Sequence, residues 1–96
     1  MKNKYPYKEI KSLLSEDKTG EALKQLHVWT ISLNDPQNED SIILLKSNYK
    51  NLSRRESLGT MGYNKYLKHK NRIIIAALRI NDTLQEIASP YSNSIS

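Results

Sequence analysis

Apolar residues recur along this chain at three- and four-residue steps, in four stretches separated by recognisable stops, with no run of alternating β-branched residues. The first stretch, about Tyr7 to Ser15, carries Ile10, Leu13 and Leu14 at helical spacing, with Pro6 placed in the first turn where its missing N–H costs nothing. The second, about Gly20 to Leu33, starts behind Thr19 as the expected N-cap. Its stripe is Ala22, Leu23, Leu26, Trp29 and Leu33, with Trp29 the largest anchor. Asn34-Asp35-Pro36 then marks a boundary, because Asp caps, Pro suits the first helical position, and Glu39 and Asp40 favour the positive helix start. The third helix is expected to run to about Ser57 with Ile42, Leu45, Tyr49 and Leu52 on one side, stopping near Gly59, with a further glycine at Gly62. The fourth, about Tyr63 to Ala88, presents Leu67, Ile74, Ala77, Leu78, Ile80, Leu84 and Ile87 as a broad face. A short turn between the last two helices folds them into an antiparallel hairpin. The pattern predicts an all-α, four-helix bundle-like domain over residues 1–88 built on that hairpin. Residues 89–96, with Pro90 and repeated Ser and Asn, are expected to be a flexible tail or the start of a linker.

Composition narrows this picture. At 96 residues the chain has room for one core, and the 26% charged content with a mean hydropathy of -0.67 requires helices with wide polar faces. There is no cysteine, which removes disulfides, thiolate metal sites and nucleophilic thiols and fits a reducing compartment. Met1 to Tyr7 is basic without an apolar stretch behind it, and the longest apolar run, Ile73 to Leu78, is too short to span a bilayer. A soluble cytoplasmic protein is expected, and the sequons starting at Asn51 and Asn81 are read as accidental. Met1 reads as a natural start, while the serine-rich end suits either a terminus or a linker. The net charge of +5 is uneven: residues 1–40 carry six Lys against seven acids, and residues 41–96 carry nine Lys and Arg against three.

The search for chemistry finds no Gly-rich phosphate loop, paired-His metal motif or serine elbow. His27 and His69 are the only imidazoles, and both read as surface residues without the spacing of a helical metal site. Glu16-Asp17 and Glu39-Asp40 lie at helix ends, where capping and dipole effects account for them. Arg54 and Arg55 likewise suit a negative helix end. No catalytic residue, metal site or cofactor is therefore assigned. The informative surface is the outer face of the fourth helix, where Lys65, Lys68, Arg72, Ile75, Arg79, Asp82 and Glu86 follow one another at three- and four-residue steps. An isoleucine flanked one turn each way by arginines has the make-up of a small protein-binding patch. Lys68, Arg72, Ile75 and Arg79 are the candidate partner-binding residues.

Three stretches carry a family resemblance: Asp17-Lys18-Thr19-Gly20-Glu21-Ala22-Leu23, Leu58-Gly59-Thr60-Met61, and Asn71-Arg72-Ile73 through Ala77-Leu78. Together, over about residues 8–88, they resemble effector-associated domain eleven. That resemblance implies a small helical adaptor, of a kind fused to proteases, nucleotide-binding receptors and other effectors of bacterial conflict systems and pairing with like domains. The chain departs from the family's habit at Gly62, where a Ser cap is common, at Asn64 and Lys65, where acids open the fourth helix, and at His69, where an acid precedes Asn71-Arg72. Each of the last two departures removes negative charge from that helix start.

Two functions of different class follow. The leading expectation is a non-catalytic adaptor that docks with a like domain, on a partner or on itself, and so recruits an effector. The alternative is a basic helical module binding nucleic acid mainly through phosphates, motivated by Lys65, Lys68, Lys70 and Arg72 on one helix. Asp82 and Glu86 on the same face, and Tyr63 and Tyr66 read as core-edge residues, weigh against it.

Overall fold

The computed structural model describes residues 6–88. They form four helices, α1 (Tyr7–Ser15), α2 (Thr19–Ser32), α3 (Pro36–Ser57) and α4 (Tyr63–Ala88), with no strand among the described residues. Residues 89–96, expected to be a tail or linker, lie outside the described segment.

The first three helices all end by the same device. A residue at positive φ follows the last turn: Asp17 (64°) after α1, Asn34 (59°) after α2 and Gly59 (71°) after α3. In each case two N–H groups turn back onto the helix end. For α1 these are Lys18 N to Leu13 O at 2.8 Å and Asp17 N to Leu14 O at 3.4 Å. After α3, Thr60 N reaches Arg55 O and Gly59 N reaches Glu56 O, both at 3.1 Å. Glycine takes this conformation without steric cost, and Asn and Asp are the side chains that tolerate it best.

Starts are less uniform. Asp35 caps α3 as its sequence predicts, one carboxylate oxygen accepting from Asn38 N at 3.2 Å and the other from Asn38 Nδ2 at 2.6 Å, with Pro36 in the first turn. Pro6 sits one position before α1, its carbonyl accepting from Ile10 N at 2.9 Å. Thr19 does not cap α2. Asp17 and Lys18 are taken up in closing α1, the chain enters α2 directly, and Thr19 is already helical, fully buried, with its hydroxyl unbonded.

α2 and α4 each pack on all three other helices, whereas α1 and α3 do not meet. α3 and α4 run antiparallel, with Leu45 beside Ile80 at one end of the seam and Leu52 beside Ile73 towards the turn. The core draws Ile10 and Leu14 from α1, Ala22, Leu23, Leu26 and Trp29 from α2, Ile42 and Leu52 from α3, and Ile73, Ala77 and Leu84 from α4. Gly20 of α2 faces the Tyr49 ring of α3, where a Cβ would make an ordinary van der Waals contact at 3.4 Å from Cε2.

The buried line of α4 is rotated from the predicted one. It runs Lys70, Ile73, Ala77, Asn81, Leu84, while Ile74, Leu78 and Ile80 flank it half-buried and Ile87 is exposed. Two polar residues in that line hid it from an apolar count. Lys70 donates to Asp17 Oδ1 and lies 5.6 Å from the centre of the Tyr66 ring. Asn81, fully buried and so closed to glycosylation in the fold, donates through Nδ2 to Tyr7 O at 3.1 Å. The Tyr7 hydroxyl donates to Asp82 Oδ1 at 2.7 Å. Both ends of α1 are thereby fastened to α4. Burial alone would lower the Lys70 pKa, but the hydrogen bond it donates to Asp17 and the neighbouring Tyr66 and Asp17 charges outweigh it and leave it raised.

Candidate docking surface

The third and fourth helices form the seam on which the candidate residues fall. α3 contains Ile42-Ile43-Leu44-Leu45, four consecutive apolar residues that a helix spreads around most of its circumference, so they cannot all face inward. Ile42 is buried and Leu45 half-buried, which leaves Ile43 and Leu44 in solvent. Leu44, 61% exposed, faces across the seam to Ile75 of α4, 52% exposed. The groove between them holds about 430 Å³, with Leu45, Ala76 and Ile80 contributing apolar lining and Arg72 and Arg79 contributing charge.

Of the candidate residues, Arg72, Ile75 and Arg79 are brought together in this groove. Lys68 is exposed one turn towards the start of α4 and does not line it. Neither arginine forms an ion pair among the described residues. Ser41 and Leu44 of α3 belong to the groove too. Following the core register of α3 alone passes over them, although the four-residue apolar run is the signal that exposes Leu44.

Towards the turn, the seam continues into a second, basic groove of about 630 Å³. It is lined by Asn48, Asn51, Arg54 and Arg55 of α3 and His69 and Arg72 of α4, over Leu52, Met61 and Ile73. Arg72 lines both grooves. His69 is thus half-buried within this depression rather than a free surface residue. A separate apolar hollow of about 370 Å³ lies by α2, where Val28 is 65% exposed beside Pro6, Trp29 and the stem of Lys24.

Two basic residues leave the list of free charges. Lys70, counted with Lys65, Lys68 and Arg72 in the phosphate-binding reading, is 8% exposed and held by Asp17, so no phosphate backbone reaches it without breaking the pair. Lys46 is engaged with His27, whose Nδ1 lies 2.9 Å from its Nζ. An ammonium can only donate, so Nδ1 accepts and the ring proton sits on Nε2, 3.7 Å from Glu39. His27 is accordingly an α2–α3 packing residue, not a surface one. Tyr63, expected at the core edge, is 71% exposed, whereas Tyr66 is half-buried. No group of three or more His, Cys, Asp or Glu residues placed to hold a metal occurs among the described residues, and none of their helices is long and apolar enough to cross a membrane.

The three stretches that carried the resemblance have identifiable places in this geometry. Asp17 closes α1 and holds Lys70, Gly20 faces Tyr49, Gly59 closes α3, and Arg72 joins the two grooves. No curated protein and no solved structure matches the chain. A family model described as Effector-associated domain 11 matches residues 5–85. The chain belongs to the Effector-associated domain 11 family.

Proposed function

We propose that this chain is a non-catalytic adaptor that recruits an effector in a bacterial conflict or defence system, docking through the apolar groove of the α3–α4 seam onto a partner carrying a similar helical domain. The observation that carries the reading is the placement of Leu44 and Ile75, both more than half exposed, in one groove with two arginines that have no carboxylate partner among the described residues. Apolar side chains in a concave surface supply the energy of contact, and unpaired flanking charges steer approach and fix register. Membership of an effector-associated family supports the same reading. Lys68 adds to the steering field from outside the groove.

Ile75→Asp is expected to abolish capture of the partner while leaving the fold intact. Undiminished capture by a folded variant removes the groove from this account. Self-association is tested by light scattering on a size-exclusion column over a range of concentrations at two salt levels. A dimer that dissociates at high salt places Arg72 and Arg79 in a like-with-like contact, and an 11.1 kDa monomer throughout assigns the groove to a different chain.

A phosphate-backbone reading retains Lys65, Lys68 and Arg72 after Lys70 is removed. Electrophoretic shift across a salt series tests it, because phosphate binding must weaken steeply as salt rises.

A further inference from the structure

We propose that the basic groove at the turn end of the α3–α4 seam, which adjoins the apolar docking groove and shares Arg72 with it, is a binding site for a phosphate-bearing small molecule. Asn48, Asn51, Arg54, Arg55, His69 and Arg72 line it, and no carboxylate does. The negative end of α3 accounts for Arg54 and Arg55, which lie in its last turn. It does not account for Arg72, which comes from the middle of α4, or for the two asparagine amides and the imidazole that converge on the same depression. Three guanidinium groups around one hollow repel one another, and none has an ion-pair partner among the described residues. A seated anion reverses that repulsion.

The chemistry favours phosphate. Guanidinium forks bind phosphate oxygens through paired, charge-assisted hydrogen bonds, and three of them exceed what one carboxylate can occupy. The asparagine amides add neutral donors, while Leu52, Met61 and Ile73 form an apolar floor for the rest of a ligand. A volume of about 630 Å³ lies within the range of small-molecule sites, roughly 300–1,000 Å³. A nucleic-acid strand is a poorer fit, because the His69 imidazole is the one aromatic ring among the lining residues, too little to stack successive bases, and Lys70 is buried against Asp17.

The test is a titration of the whole chain with inorganic pyrophosphate and with ATP, followed by amide NMR, with folding of each variant checked by circular dichroism. Shifts are expected to concentrate at Asn51, Arg55, His69 and Arg72. Arg55→Ala and Arg72→Ala should each weaken binding about tenfold, whereas Lys68→Ala, outside the groove, should change it by less than about twofold. Ile75→Ser, which disrupts the docking groove without placing a charge beside Arg72, should bind both ligands as the parent does, which separates this site from the docking groove. The proposal is overturned by an absence of shifts at millimolar pyrophosphate, by an equal loss in Lys68→Ala, or by tighter binding of a short oligonucleotide or a glutamate-rich peptide than of ATP.

Discussion

The two faces of α4 carry similar materials and use them differently. The inner line sets one charged and one neutral polar residue among apolar ones, Lys70, Ile73, Ala77, Asn81, Leu84, and the two polar members each have a partner from another part of the chain: Asp17 for Lys70 and the Tyr7 carbonyl for Asn81. The outer line, Lys68, Arg72, Ile75, Arg79, mixes the same kinds of residue, and none of its cations has an ion-pair partner among the described residues. Removing the partner of a buried cation strands a charge in poor solvent, so such a pair is costly to break even where it adds little net stability. Exposed cations beside an uncovered apolar residue contribute little to stability and remain available to another molecule.

Substitutions should separate the faces. The largest effect belongs to Leu84→Ala, at a fully buried position, which should cost about 2–5 kcal/mol in denaturant unfolding through lost burial and the cavity left behind. Ile75→Ala, by contrast, should change stability by no more than about 0.5 kcal/mol, and a larger loss would place Ile75 in the core. Intermediate is Asp17→Asn, which removes the carboxylate from the Lys70 ammonium; because the Asp17 side chain is 71% exposed and water can stand in for it, the cost should be about 0.5–1.5 kcal/mol. Adding Lys70→Met to it should recover part of that loss, and a strictly additive double variant would show that the two residues are not coupled.

The smallest effect is in alkali. The hydrogen bond to Asp82, then burial and the Asp82 charge, raise the Tyr7 hydroxyl above its ordinary 10.0, and Lys70 is raised above 10.5. Both groups hold their protons more tightly folded than unfolded, so their contribution is complete below about pH 10 and is lost as pH climbs through the raised folded values. Chemical unfolding at stepped pH should show this decline, and it should be shallower in Tyr7→Phe and in Lys70→Met.

The contrast also explains what could be read from the sequence. Helix order and the hairpin were legible because Pro36, Gly59 and the three-four spacing of Leu23, Leu26, Trp29 and Leu33 are local signals. The inner line of α4 was not, because Lys70 becomes a core residue only when Asp17, far away in sequence, arrives beside it at the end of α1. Arg72, Ile75 and Arg79 stood out as an anomaly on one helix. Their groove needs Leu44 from α3, and no single-helix spacing connects the two. The basic groove was hidden for the same reason: Arg54 and Arg55 were explicable at their own helix end until α4 brought His69 and Arg72 to them.

The central claim is that the α3–α4 seam, rather than the apolar hollow by α2, meets the partner. The most direct measurement compares three baits, the unmodified chain, Ile75→Asp and Val28→Asp, in capture from extracts of the source cells, with captured proteins identified by mass spectrometry and bait folding verified. The account predicts that the unmodified chain and Val28→Asp retain the same protein bearing a similar helical domain, and that Ile75→Asp loses it. Retention by Ile75→Asp with loss by Val28→Asp would contradict the account and move the docking surface to α2.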